Sequence, residues 1–272
     1  MPFLSDADVD NTLKAHKNIL VWGPPVHGKT YSLHTLAAYL KQNELGPIHL
    51  YDLDRKCESL VKKARTEGTM DHVRVWQLPL RPASKISTTE RTQKHDLYLE
   101  FIKAINLYYE YVDPRTGGWK DTYENPPGAI VVDSLTALQE IILTFVLKLS
   151  GHDIGDKGTD ARQDFGKQMG KIMETIQSLK ALPCIFVCTA HEQTEKDDVV
   201  GGIFTLPKVT GKLSHYIAGE FNSVLYTTTK NSAGKTEYKW LVRPKNRIKS
   251  AGSTHSDTLP DEIPQDFREL FK

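Results

Sequence analysis

The sequence predicts an α/β fold: a mainly parallel, twisted β-sheet with helices on both faces and an antiparallel hairpin towards the C-terminal end. Three observations carry this. Short apolar runs of strand length alternate with stretches whose apolar residues recur at helical spacing, the pattern of a parallel sheet with crossover helices. The first run, Asn18 to Trp22, leads directly into a glycine- and proline-rich turn and then into a helical pattern. Late in the chain, two strand-like runs flank the turn residues Asn231-Ser232-Ala233-Gly234.

Taken in order, Asn18 to Trp22 is a short apolar run, the mark of a buried parallel strand. From Gly28 to Gln42, residues Leu33, Leu36, Ala37 and Leu40 fall on one helical face. Ile48 to Asp54 reads as a second strand ending in acid, Glu58 to Arg65 as a short helix, and Val73 to Leu78 as a third strand. Pro79 to Thr92 is rich in Pro, Ser, Thr and charge and reads as a loop. Asp96 to Val112 places Leu97, Phe101, Ile105 and Tyr108 on one helical face, and Asp113 to Gly128 reads as a long mobile connection. Ala129 to Asp133 is a fourth strand, Leu135 to Leu149 an apolar helix, Ser150 to Thr159 a loop, and Phe165 to Leu182 a helix. Cys184 to Ala190 is a fifth strand, followed by the polar, glycine-containing stretch Glu192 to Lys212. Ser223 to Thr229 and Tyr238 to Val242 form the hairpin, and the chain turns polar from Ser250.

With 272 residues, 39% hydrophobic and 25% charged, the chain suits one large globular domain or two small ones. One domain is expected over 1–272, with an N-terminal arm 1–17, a core 18–249 and an acidic polar tail 250–272. No apolar stretch approaches the ~20 residues of a membrane span. Met1 to Asp10 lacks a signal-peptide pattern, and three scattered cysteines argue against a disulfide framework, so a reducing cytoplasm is expected. Cys184 and Cys188 are four apart and would face the same side of a strand as small buried thiols. The net charge of +1 gives no whole-molecule grip on nucleic acid, so any such binding needs local clusters.

The most informative segment is Gly23-Pro24-Pro25-Val26-His27-Gly28-Lys29-Thr30, which fits the phosphate-cradling pattern G-x-x-x-x-G-K-[ST]. Gly23 and Gly28 permit turns that a side chain would forbid, and the turn aims N–H groups at an anion at a helix start. Lys29 would reach the β- and γ-phosphates and Thr30 would ligate Mg²⁺, with ATP as the nucleotide. Tyr31 extends the binding segment by one residue. The motif needs a carboxylate for Mg²⁺ at the end of an apolar strand beside its own strand. Asp133 fits, with Ser134 free to cap the next helix. Hydrolysis also needs a group to orient water. Asp52 and Asp54 alternate with Leu53 and would face one side, with Asp54 nearer the phosphates as base and Asp52 behind it.

His191 ends the fifth strand, where a polar donor can touch a γ-phosphate and report it to the following loop. His191-Glu192-Gln193-Thr194-Glu195 lacks the second histidine of H-E-x-x-H and leaves a strand, so zinc is rejected. Arg243-Pro244-Lys245-Asn246-Arg247-Ile248-Lys249 is a basic run. It has three readings: a solvated face, phosphate contacts with nucleic acid, or a cation given to a neighbour's ATP.

Together these motifs resemble the RecA-type recombinase core, and more closely the small phage RecA-like single-strand annealing proteins. The resemblance spans Asn18 to Lys249 and rests on Gly23 to Thr30, Tyr51 to Asp54, Val132 to Leu138, Thr189 to Glu192 and Thr210 to Leu213. It implies catalytic roles for Lys29, Asp54 and His191, with His191 in the place of a γ-phosphate-sensing glutamine, and Mg²⁺ held by Thr30 and Asp133. It implies two DNA-facing loops, Asp153 to Arg162 and Glu192 to Lys212, with Lys208 and Lys212 on phosphates. Lys245 and Arg247 match cations donated across a subunit interface. The implied activity is DNA-stimulated ATP hydrolysis by a homo-oligomer, ring or filament, that binds ssDNA and promotes annealing or recombination. A single-strand DNA-binding protein is an implied partner, and a phage-encoded chain would work in the host cytoplasm. Acidic residues in the second loop argue for annealing over strand exchange. A tail that mimics DNA is a further expectation. The alternative is a P-loop ATPase outside recombination, either a nucleotide-gated assembly factor or a small-molecule kinase.

Overall fold

Strand β1 (Asn18–Gly23) is buried along its whole length, and its side chains alternate between two cores. Leu20 and Trp22 join one apolar cluster, while Ile19 and Val21 join the other. This is the expected behaviour of a strand covered on both faces. The computed structural model describes residues 17–77, 89–151, 161–196, 201–232, 235–253 and 258–272. The N-terminal arm, most of the loop after the third strand, and most of Asp153 to Arg162 lie outside these residues.

Around β1 the sheet adds β2 (Ile48–Asp52), β3 (Val73–Gln77), β4 (Ala129–Asp133), β5 (Ile185–Lys196) and β7 (Ser223–Ser232), all in parallel pairs. The order among the described residues runs from Glu262–Pro264 and Lys235–Leu241 at one edge through β7-β1-β5-β4-β2-β3. β8 (Lys235–Leu241) pairs antiparallel with β7, as the hairpin signal predicts. Helices α1 (Lys29–Gln42) and α2 (Glu58–Thr66) cover one face. Helices α3 (Thr89–Glu110), α4 (Leu135–Leu149) and α5 (Ala161–Lys180) cover the other. Among the described residues no helix is long and apolar enough to cross a membrane. Cys184 and Cys188 are both buried in the same core cluster.

Four expectations need correction. Strand β5 does not end at Ala190. It runs on to Lys196 and pairs antiparallel with β6 (Ile203–Pro207), so much of the expected loop is a hairpin whose tip, 197–200, lies outside the described residues. Alternating polar residues conceal this, because a two-stranded arm in solvent needs no apolar face. The strand carrying Asp133 is not beside β1, because β5 lies between them. The connection Asp113 to Gly128 is pinned: Val112 bridges Trp119, Tyr111 stacks on Tyr123, and Trp119 and Tyr123 pack against the core. The segment after Ser250 is no solvated tail. It forms β9 (Gly252–Ser253), β10 (Glu262–Pro264) and the short helix Phe267–Leu270, with Ile263, Phe267 and Leu270 buried.

Candidate nucleotide site

The parallel strands bring their C-terminal ends to one edge, and the register aligns them: Gly23 is opposite His191, and Asp52 is opposite Asp133. Between β1 and α1 the backbone turns through Gly23 at φ 141 and Gly28 at φ 83. A Cβ on Gly23 would lie 2.4 Å from Thr227 Oγ1, so no other residue fits there without movement. Val26, at φ 64 and 92% exposed, is held left-handed at the loop tip, an outlier for a β-branched residue. His27 Nδ1 donates to Pro25 O at 2.8 Å.

Lys29 is buried, and its Nζ donates to Gly23 O at 2.9 Å and Pro24 O at 2.6 Å. Burial lowers its pKa to about 8, against the opposing pull of Asp133, Glu192 and Asp54. Thr30 Oγ1 donates to Asp133 Oδ2 at 2.6 Å, and Thr189 Oγ1 donates to Asp133 Oδ1. Thr189, on the strand between β1 and β4, and Thr30, at the start of α1, thus hold the two oxygens of one carboxylate. Burial pushes the Asp133 carboxyl above the ordinary carboxylate range, with the Thr189 and Thr30 hydroxyls working against it. Ser134 caps α4, its Oγ accepting from Ala137 N at 3.2 Å.

Asp54 lies just beyond β2, where Asp133 O accepts from Leu53 N at 2.7 Å and Asp54 N at 3.2 Å. That hook brings its carboxylate into the cleft, with Oδ2 3.3 Å from His191 Nε2. Burial alone would raise the Asp54 carboxyl, but hydrogen bonds from His191 and Ser134 leave it below its ordinary value. Asp52, expected just behind Asp54, faces elsewhere. Its carboxylate accepts from Lys56 N, Cys57 N and Gln77 Nε2, holding the turn into α2.

Gly28, Lys29, Thr30, Asp54, Asp133 and His191 line one cleft of about 650 Å³, together with Pro25, Tyr31, Lys56, Thr236 and Tyr238. Sequence reasoning missed Thr189, whose only signal is a hydroxyl near the end of an apolar strand. It also missed Thr236 and Tyr238, which sit on β8 about 200 residues from the loop and carry no motif. His191 leads out of the cleft. Its N–H donates to Thr136 Oγ1 at 3.0 Å, and that hydroxyl donates to Lys208 O at 3.2 Å. Lys208 N returns to His191 O at 2.7 Å. Gln139 Oε1, one turn further along α4, accepts from Thr210 N at 2.6 Å.

Residues 15–248 match the AAA domain family. The chain belongs to this family. It is a P-loop ATPase domain, and in its α/β sheet one strand, β5, separates β1, which leads into the Lys29 turn, from β4, which carries Asp133. Among solved structures, the flagellar accessory protein FlaH from Methanocaldococcus jannaschii is 13% identical over 96% of this chain and 91% of that one, with a TM-score of 0.39. The KaiC-like protein PH0186 from Pyrococcus horikoshii OT3 is 14% identical over 86% of this chain and 80% of that one, with a TM-score of 0.38. No curated protein gives a significant match.

The cations expected beyond the cleft divide into two groups. Lys208 and Lys212 line a pocket of about 450 Å³ at the root of the β5–β6 hairpin, beside Glu195, which pairs with His215 at 3.1 Å. Lys245 pairs with Glu262 at 2.7 Å, as Arg243 does with Asp261 at 2.6 Å. The reason is β10, which returns beside β8 and sets the late carboxylates against the basic run. Arg247 is exposed and lines a pocket with Tyr226 and Asn246.

Proposed function

We propose that the protein is an ATP-hydrolysing, nucleotide-gated ssDNA-binding protein that acts as a homo-oligomer in strand annealing or recombination. The observation that carries the nucleotide half is the meeting of Lys29, Thr30, Asp133, Asp54 and His191 in one cleft. In this reading the phosphates lie on the loop N–H groups, and Lys29 leaves the Gly23 and Pro24 carbonyls for them. The donor set fits Mg²⁺, because Thr30 and Asp133 offer hard oxygens 2.6 Å apart at a carboxylate that burial leaves short of positive charge. When bound, Mg²⁺ supplies charge neutralisation between phosphate oxygens. Asp54, kept ionised, orients the attacking water and takes its proton. His191 holds Asp54 in place and exchanges that contact for the γ-phosphate when a triphosphate is present.

The DNA half is supported by the Thr136 and Gln139 contacts, which join the His191 strand to the segment bearing Lys208 and Lys212. A change at His191 would move those two ammonium groups. ATP turnover with and without ssDNA, beside the Lys29→Ala variant, tests the whole reading. Turnover that ssDNA leaves unchanged, with no ATP-dependent retention of ssDNA, rejects the DNA half. Glu192 and Glu195 on the hairpin repel a phosphate backbone. They favour a second reading, a nucleotide-gated assembly factor that docks a protein. ATP-dependent self-association without ssDNA binding selects it.

A further inference from the structure

From the far end of the chain, Gln265 reaches the back of the phosphate loop. Its Nε2 donates to His27 O at 2.9 Å and to Lys239 O at 3.1 Å, joining the loop to β8. The side chain is 8% exposed. A Cβ on Gly28 would come within 2.4 Å of Gln265 Oε1, so the amide and the bare glycine are packed together. Gly28 lines the cleft and Gln265 does not, so the amide approaches from behind. Gln265 is itself anchored through the backbone: two residues on, the Phe267 N–H, which no side-chain change removes, donates to Thr35 Oγ1 at 2.9 Å.

The geometry points to Gln265 as a positioning residue for the phosphate site, an inference that rests on the ATP-binding reading. A trans peptide unit is planar, and its C=O and N–H point in opposite directions. The oxygen that Gln265 holds belongs to the peptide whose nitrogen is Gly28. Pulling His27 O backwards turns the Gly28 N–H forwards, towards the cleft, where an anion needs a donor. Gln265 therefore keeps the loop ready for phosphate before the nucleotide arrives, from 238 positions away in sequence. The two donated bonds need an amide NH₂: Met has the volume without donors, and Glu has the shape with acceptors only.

The test is calorimetric binding of ATP, ADP and AMP, each with Mg²⁺, to the full chain, to Gln265→Met and to Gln265→Glu. The melting temperature is measured alongside, and Phe267→Leu serves as a packing control. Loss of the hold on His27 is expected to weaken ATP and ADP about tenfold, the order of one hydrogen bond to a charged partner. AMP affinity is expected to stay unchanged. Phe267→Leu is expected to lower the melting temperature and leave ATP affinity unchanged. Wild-type ATP affinity in either folded Gln265 variant overturns the inference. So does an equal loss for AMP, or the same loss in Phe267→Leu, because packing and not the amide would then set the loop. A wild-type chain that binds no ATP is a different outcome: it removes the nucleotide reading itself.

Discussion

On one side of the nucleotide cleft, Gly23 to Tyr31 run as one unbroken segment, with strand, turn and helix start in sequence. On the other side, Asp54, Asp133, His191, Thr236 and Tyr238 come from β2, β4, β5 and β8 or the residues just beyond them, and Gln265 supports the loop from outside. The first side depends on local backbone geometry: two glycines at positive φ and a helix N-terminus. The second depends on sheet register, because each side chain reaches the cleft only if its strand is set at the right level against its neighbours. A local motif can thus bind phosphate, while chemistry on it requires the whole sheet.

The comparison can be broken or sharpened by experiment. The largest effect is expected from Lys29→Ala, which removes the contiguous side's cation and should abolish ATP binding and turnover by calorimetry and phosphate release. Asp54→Asn attacks the assembled side. It should lower turnover by about 100-fold or more while ATP still binds, since a base acts on the water and not on the bound nucleotide. Comparable loss of binding in both variants would erase the distinction between the two sides.

Phe267→Ala tests how far the assembled side relies on the C-terminal segment. Phe267 is fully buried, and truncation should cost about 3–5 kcal/mol in urea unfolding. Removal of everything after Ser250 should leave insoluble protein, which is the opposite of what a solvated tail would allow.

A pH series separates the sides by charge. Lys29 loses its proton near pH 8 in the folded chain and near 10.5 when unfolded. Across that window the unfolded chain binds more protons, so this group's contribution to stability rises with pH. ATP affinity should fall over the same range, because the neutral amine no longer attracts phosphate. Lys29→Arg should flatten the binding profile, since a guanidinium stays charged. The smallest effect belongs to Thr136→Val, which removes the hydroxyl between His191 N and Lys208 O. Basal turnover should remain within a few-fold, while any ssDNA stimulation should be lost.

Legibility followed the same divide. Gly23 to Tyr31 was readable because its spacing is local and each residue type has one task. Asp133 and Asp54 were readable as acids at strand ends. The hook from Asp133 O that places Asp54 was not, because a backbone hydrogen bond leaves no residue signature. Glu192 to Lys196 read as loop because a solvated hairpin arm carries no apolar alternation. The segment after Ser250 read as tail because five carboxylates hid three buried anchors, Ile263, Phe267 and Leu270.

The sequence by itself determined that this chain builds a parallel α/β sheet with a phosphate loop at its first strand, because apolar periodicity and glycine placement act over a few residues. The tertiary structure alone decided that β5 separates β1 from the Asp133 strand, that Thr189 on β5 holds Asp133, that Lys245 is bound by Glu262, and that Gln265 stands behind Gly28. Those facts depend on strand order and register. These are set by the packing of both cores at once, and no short stretch of residues contains them.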